Sequence, residues 1–256
     1  MDGRIEMLKF TIAALIALAV ALGGTAPAAA QSFSPAQKQE IDRLIHDYLQ
    51  QHPEAVMDAL KAAQQQAEAA RTAAAKRTIA ARRDELLHDP NSVVAGNPNG
   101  DVTLVEFFDY RCPYCKAIEP SLEALIKEDG NLRIVYKEFP ILGPTSVVAS
   151  RVAIAARQQG KYAEFHARMM ALKGNIDNEA VMTVAEASGL DLTKLKRDMG
   201  APSIGQTIQR NYALADALGI DATPALVIGD QLTMGAVDID SLRRLIADAR
   251  KNKKGS

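Results

Sequence analysis

The sequence predicts an α/β fold in which a strand–helix–strand unit, an all-helical insertion, a strand pair and a closing helix follow a separate N-terminal helical segment. Three observations carry that reading. Residues 102–108 (Val-Thr-Leu-Val-Glu-Phe-Phe) and 132–139 are short runs rich in β-branched and aromatic residues, the composition of buried strands. Between 146 and 219 apolar residues recur in helical periods instead, broken at Gly160, Gly174-Asn175, Gly189 and Gly200-Ala-Pro202. Residues 58–83 are dominated by Ala, Gln, Lys and Arg, which favour helix but offer a core few large side chains.

From the N-terminus, Arg4 and Lys9 precede an uncharged apolar run at 10–22, followed by Gly23-Gly24 and Ala28-Ala29-Ala30. This is a secretory signal pattern over residues 1–30, with small residues suited to cleavage before Gln31. At about 13 residues the run is shorter than the roughly 20 that span a bilayer as a helix. Met7 offers an alternative start with a cleaner charged region. Export places the mature chain in an oxidising compartment, most simply the bacterial periplasm. With 30 basic and 31 acidic residues, nothing in the charge balance points to nucleic acid or an anionic membrane as the main partner. At 256 residues and 48% hydrophobic, the chain is able to bury a substantial core.

Residues 31–87 are expected to form a helical stalk and linker. Ser34-Pro35 is an N-cap and first-turn pair, and Ile41, Leu44, Ile45, Tyr48 and Leu49 form one apolar stripe. His52-Pro53 interrupts the helix, because a residue before proline avoids the α region, and Val56, Met57 and Leu60 mark its successor. The stripe has to be covered. Copies of the same stripe are the expected cover, giving a homo-oligomer, with packing on the chain's own second domain as the alternative.

The second domain, 88–256, opens with turn formers at Asp89-Pro90-Asn91 and Gly96-Asn97-Pro98-Asn99-Gly100. A strand at 102–108 leads to Cys112-Pro113-Tyr114-Cys115, a helix at 113–127, a second strand at 132–139 and the helical insertion. After Thr223-Pro224, strands at 225–228 and 232–234 flank a Gly229-Asp230 turn, and 238–251 is a closing helix carrying Ile239, Leu242, Leu245 and Ile246.

The only cysteines are Cys112 and Cys115. At a helix start the first sulfur lies near free backbone N–H groups and the positive end of the helix dipole, which favours its thiolate. Cys112 is therefore the expected nucleophile and Cys115 the resolving thiol of a thiol–disulfide exchange needing no metal and no cofactor beyond the cysteine pair itself. Zinc is disfavoured because there is no second Cys pair and His46, His52, His88 and His166 lie at no finger spacing. A purely structural bridge across two residues removes little unfolded-state entropy. Copper capture by two thiolates remains an alternative, without a Met or His inside the motif.

The stretch Glu106-Phe-Phe-Asp-Tyr-Arg-Cys112-Pro113-Tyr114-Cys115, the helical insertion and the late Thr223-Pro224 resemble the DsbA-like branch of the thioredoxin superfamily over about 90–250. The resemblance implies a thioredoxin-like fold and a cis Thr223-Pro224 bond beside the cysteines, where Thr223 and Pro224 bind substrate backbone. It also implies that Glu106 is a buried acid relaying a proton to Cys115, desolvation raising its pKa. Lys137 on the neighbouring strand is the candidate to pair with it or orient it. Where strongly oxidising members have Pro-His, this chain has Pro113-Tyr114; Tyr adds no positive charge beside the thiolate, so the pair should be less oxidising. His166 has no counterpart in the motif and is read as structural. The N-terminal segment, with Tyr48-Leu-Gln-Gln-His-Pro53-Glu, is similar to the stalked, ScsC-like subgroup, some of which are trimeric isomerases associated with copper tolerance.

The leading expectation is thus a periplasmic disulfide isomerase or reductase, trimeric through its stalk, acting on secreted cysteine-containing proteins and kept reduced by a membrane partner. A dithiol oxidase is the runner-up. A chaperone or copper-binding protein is the third reading.

Overall fold

A computed structural model describes residues 33–254; the signal expected at 1–30 lies outside the described residues. Helix α1 (Pro35–Gln51) begins with a reciprocal capping box, in which Ser34 Oγ accepts the Gln37 N–H at 3.3 Å and Gln37 Oε1 accepts the Ser34 N–H at 2.9 Å. It stops at His52, whose backbone leaves the helical region ahead of Pro53, and α2 (Pro53–Ala81) then runs on to a short α3 (Arg83–Leu87).

The chain divides into two compact units between Ala63 and Gln64, inside α2. The first unit carries the apolar stripe, and no residue of α1 is buried. In the second, Ile79 and Leu86 are 5% and 1% exposed and pack with Val105, Phe107, Val135 and Val227. Residues 64–87, assigned by the sequence to the stalk and linker, therefore belong with the second unit. Their large apolar residues are so widely spaced that the Ala-rich composition masks them.

The second unit is built on a five-stranded sheet in the order β1-β3-β2-β4-β5, formed by β1 (Val93–Gly96), β2 (Val102–Phe108), β3 (Leu132–Glu138), β4 (Ala225–Ile228) and β5 (Gln231–Met234). Strands β2 and β3 are parallel and joined by α4 (Pro113–Glu128); the β1–β3, β2–β4 and β4–β5 pairs are antiparallel. The predicted elements 102–108 and 225–228 are observed with those bounds, β3 and β5 within one residue of theirs. Strand β1 lies in what the sequence marks only as a turn-rich entry, because four residues of half-buried alternation between turn formers are too short a pattern to register.

The insertion consists of α5 (Pro144–Arg157), α6 (Tyr162–Ala171), α7 (Asn178–Ala187), α8 (Leu192–Asp198) and α9 (Pro202–Leu218), and α10 (Ile239–Lys254) closes the chain. Because side chains alternate across a strand, the sheet has two cores. Leu104, Phe108, Ile134 and Tyr136 pack with α4, the insertion and Leu242 and Ile246 of α10; Val105, Phe107 and Val135 face Ile79, Leu86 and the end of α9. Phe107 and Phe108 are both fully buried, each contributing on the order of 1.5–3 kcal/mol through burial. Adjacent residues thereby lock β2 from both sides at the end that delivers the cysteines. Among the described residues, no helix is long and apolar enough to cross a membrane.

Candidate active site

Strand β2 ends at Phe108, and a tight turn, closed by a Cys112 N–H to Asp109 carbonyl bond of 3.0 Å, carries the chain into α4. Buried Asp109 fixes this turn: Oδ1 accepts the Arg111 N–H at 2.7 Å and Oδ2 the Leu142 N–H at 2.9 Å. Cys112 is the N-cap of α4, with Pro113 in the first turn where a missing N–H is tolerated. Its Sγ accepts the Cys115 N–H at 3.4 Å and lies 3.2 Å from the Thr223 carbonyl. The Thr223-Pro224 peptide bond is cis, the isomer the resemblance implied.

The two thiols are not equivalent. Hydrogen bonding from the Cys115 thiol, then from the Thr223 side chain and the Cys115 and Tyr114 N–H groups, lowers Cys112 to about 6 against the opposing effect of burial. Cys115, fully buried one turn along, is pushed far upward by the bond it gives Cys112, by burial and by Glu106. Tyr114 is 64% exposed and adds no charge to the pair.

Glu106 is fully buried on the α4 side of β2, and both carboxylate oxygens lack a hydrogen-bond partner. Burial, followed by the charges of Glu119, Cys112 and Glu138, raises its pKa well above the carboxylate range. Lys137 does not orient it. In the parallel register Lys137 is opposite Phe107 and Tyr136 opposite Glu106, so strand alternation sends the lysine to the other face. There its Nζ donates to the Glu85 carbonyl at 2.6 Å and lies 3.5 Å from Asp89 Oδ2, tying α3 to the sheet.

His166, on α6, is buried beside the site: Nε2 lies 3.3 Å from Glu119 Oε1 and Nδ1 3.2 Å from Tyr110 Oη. Sequence reasoning missed Glu119, although it follows Cys115 by four residues and so shares its helix face. It also missed Glu138, the next residue but one after Tyr136 and so on the same strand face. Lys116 escaped notice as well; its Nζ donates to the Met169 and Leu172 carbonyls at 2.5 and 2.7 Å, fastening the end of α6 to the active-site helix. Nothing in the sequence signals that contact across 53 residues.

A mixed sheet with two cysteines at the start of α4 and a cis-proline bond against the first sulfur is a thioredoxin-type arrangement. Residues 103–247 match the DsbA-like thioredoxin domain, and residues 37–70 the N-terminal domain of copper resistance protein ScsC. The chain belongs to the DsbA-like thioredoxin family. A thioredoxin-like oxidoreductase from Silicibacter pomeroyi DSS-3 is 47% identical, with 66% of this chain and 98% of that one covered at a TM-score of 0.65. Proteus mirabilis ScsC in a transitional conformation is 29% identical, with 86% and 100% covered at a TM-score of 0.65. The thiol:disulfide interchange protein DsbA of Bordetella parapertussis is 28% identical over 144 residues, 54% of this chain and 68% of that protein. The chain spans about a quarter of the length of the first curated relatives it matches, Na(+)/H(+) antiporters such as NhaA 1 of Salinispora arenicola, 24% of which is covered.

Proposed function

We propose that this protein is a periplasmic disulfide isomerase or reductase, assembled into a homo-oligomer, a trimer, through its N-terminal helices and kept reduced by a membrane dithiol partner. The observation that carries the reading is the asymmetry of the thiols. A Cys112 pKa of about 6 makes it largely thiolate at neutral pH, while Cys115 holds its proton. That value lies nearer to the about 7 of thioredoxin than to the about 3.5 of strongly oxidising DsbA. A less stabilised thiolate makes a less oxidising pair.

In this reading the Cys112 thiolate attacks one sulfur of a mispaired substrate disulfide, forming a Cys112–substrate disulfide and releasing a substrate thiolate. Isomerisation ends when a substrate thiolate attacks the mixed disulfide and regenerates Cys112. In reduction, Cys115 gives its proton to Glu106 and attacks Cys112 Sγ, closing the Cys112–Cys115 disulfide and expelling the second substrate thiolate. The membrane dithiol then reduces that bond. The Thr223 backbone at the Cys112 sulfur is the edge on which an extended peptide pairs.

The stripe supports assembly. Leu44, Ile45, Tyr48 and Leu49 are 57, 53, 57 and 42% exposed, an apolar run that monomers rarely leave open. Several dithiols around one client hold it while its bonds are reshuffled. The match of residues 37–70 to the N-terminal domain of a copper resistance protein supports service under copper stress.

Reactivation of scrambled ribonuclease tests the proposal with the mature protein, Cys112→Ser and the double variant Ile45→Lys/Leu49→Lys. The expected result is near-complete loss in Cys112→Ser, and in the double variant a smaller species by sedimentation with isomerase activity reduced about tenfold or more while dithiol oxidation is kept. Full isomerase activity from a dissociated double variant would contradict the role of assembly.

A further inference from the structure

At the end of the sheet remote from the cysteines, α2, α3, the start of β2, the β4–β5 turn and α10 enclose a cavity of about 710 Å³. All of its lining belongs to the second unit. Val102, which lines it, and Phe108, which leads to the cysteine turn, are the two ends of β2. At about 3.3 Å per residue, the strand sets the cavity about 20 Å from that turn. Small ligands are commonly held in cavities of about 300–1,000 Å³ with apolar walls and a few polar groups. Here the lining is graded in that way. Ile79, Leu86 and Val227, at 5, 1 and 2% exposed, make the bottom apolar, while Ala80, Arg83 and Lys253 are exposed at the mouth.

Positive charge around the cavity exceeds what its acids neutralise. Lys76 Nζ pairs with Asp230 Oδ2 at 2.9 Å, and the Asp101 carboxylate is occupied by Arg250, with contacts of 2.6 and 2.7 Å. Arg133 donates to the Leu87 carbonyl at 2.7 Å and lies 3.5 Å from Thr103 Oγ1, and Lys253 donates to the Asp101 carbonyl at 2.9 Å. Among the described residues, neither these two nor Arg83 has a carboxylate at ion-pair distance. Arg133 is also half-buried, and burial lowers its pKa with no opposing charge to offset the effect. A cation taken partly out of water without a counter-charge is unfavourable, and an anion entering the cavity relieves that cost.

We propose that this cavity binds a small amphipathic anion, a monocarboxylate on an aliphatic body. The carboxylate faces the charges of Arg83, Arg133 and Lys253, where guanidinium groups suit its planar geometry. The aliphatic body lies toward Ile79, Leu86 and Val227 and gains by leaving water. Both halves of the ligand are needed: an inorganic anion leaves the apolar bottom empty, and an uncharged amphiphile leaves the cations unanswered. An occupant touches α2 and α3 on one hand and β2 and α10 on the other, so it adds to the contacts of Ile79 and Leu86 that hold residues 64–87 on the sheet. Binding to the folded chain alone raises its stability by mass action. The cysteine face stays open to clients throughout.

Calorimetric titration of the full-length protein with octanoate, octanamide and acetate tests this. Octanamide keeps the chain without the charge, and acetate keeps the charge without the chain. The expected result is saturable binding of one octanoate per chain, about tenfold or more tighter than either of the others, with a raised thermal midpoint. Arg83→Glu and Lys253→Glu each weaken octanoate about tenfold or more, and Ala80→Trp, which fills the mouth, abolishes binding. Arg83 and Lys253 are exposed and on different helices, so a folding failure of one variant leaves the other. Arg77→Glu makes the same charge change on α2 outside the lining and binds as wild type does. Cys112→Ser also binds as wild type does, since the cavity is separate from the dithiol. Absence of octanoate binding, or equal binding of octanamide or acetate, overturns the proposal. An equal loss in Arg77→Glu assigns the effect to overall charge, and wild-type affinity in Arg83→Glu, Lys253→Glu and Ala80→Trp places binding elsewhere; both overturn it. Octanoate uptake that tracks dissociation of the protein in sedimentation assigns the cavity to a second copy and overturns it as well.

Discussion

At the scale of single residues, Cys112 and Cys115 are chemically identical side chains made different by where one helix begins. Cys112 caps α4 and collects hydrogen bonds; Cys115 sits inside and supplies them. The expected alkylation profile of the dithiol has Cys112 reacting with a midpoint near pH 6, while Cys115 stays unreactive well above neutrality. A single midpoint near the ordinary thiol value of about 8.5 would contradict the asymmetry. The same shift ties stability to pH. Because the folded pKa of Cys112 lies below the unfolded one, its stabilisation of the reduced protein is complete above about pH 8.5 and is lost as pH falls through about 6. The disulfide form lacks this contribution, so the stability of the reduced form relative to the oxidised one should fall as pH drops through that window.

At the scale of elements, Lys137 is the clearest case of a residue whose role depends on strand parity. It is 1% exposed on the face away from the cysteines, where it joins β3 to the Glu85 carbonyl and Asp89. Lys137→Ala is expected to lower stability by about 2–4 kcal/mol, since it strands buried partners, one of which, Asp89, keeps some solvent. The rates of Cys112 alkylation should not change. Denaturant midpoints and thiol kinetics on one preparation check both, and an altered Cys112 rate would return Lys137 to the active site. Strand and helix periods, the Ser34 cap and the cysteine spacing were legible in the sequence because each is a local pattern. Which face Lys137 takes follows from the register with β2, and Ile79 and Leu86 join the second core through contacts distant in sequence. The His166–Glu119 and Lys116–Met169 contacts likewise arise only when the insertion folds back on α4. For the same reason a truncation at 88, the boundary read from composition, would strip Ile79 and Leu86 from the core. A cut at 64 respects the observed units.

At the scale of the whole molecule, the fold separates two tasks. The sheet and α4 bring Cys112, Cys115 and the Thr223-Pro224 bond to one place, while the N-terminal unit carries an exposed apolar stripe, which in the proposed reading joins copies. Thiol–disulfide exchange runs either way, so the direction of electron flow is set by how strongly the Cys112 thiolate is stabilised and by what meets the pair in its compartment. A Cys112 pKa of about 6 and an uncharged, exposed Tyr114 both favour a pair used in its reduced form. The most direct measurement is acid quenching and thiol trapping of the full-length protein in its native cells, with the dithiol and disulfide forms resolved by the mass of the trapping group. The reduced form should predominate at steady state and shift to the disulfide when the supply of membrane reductant is cut. A protein found mostly as the Cys112–Cys115 disulfide in undisturbed cells would contradict the account and make it a donor of disulfides.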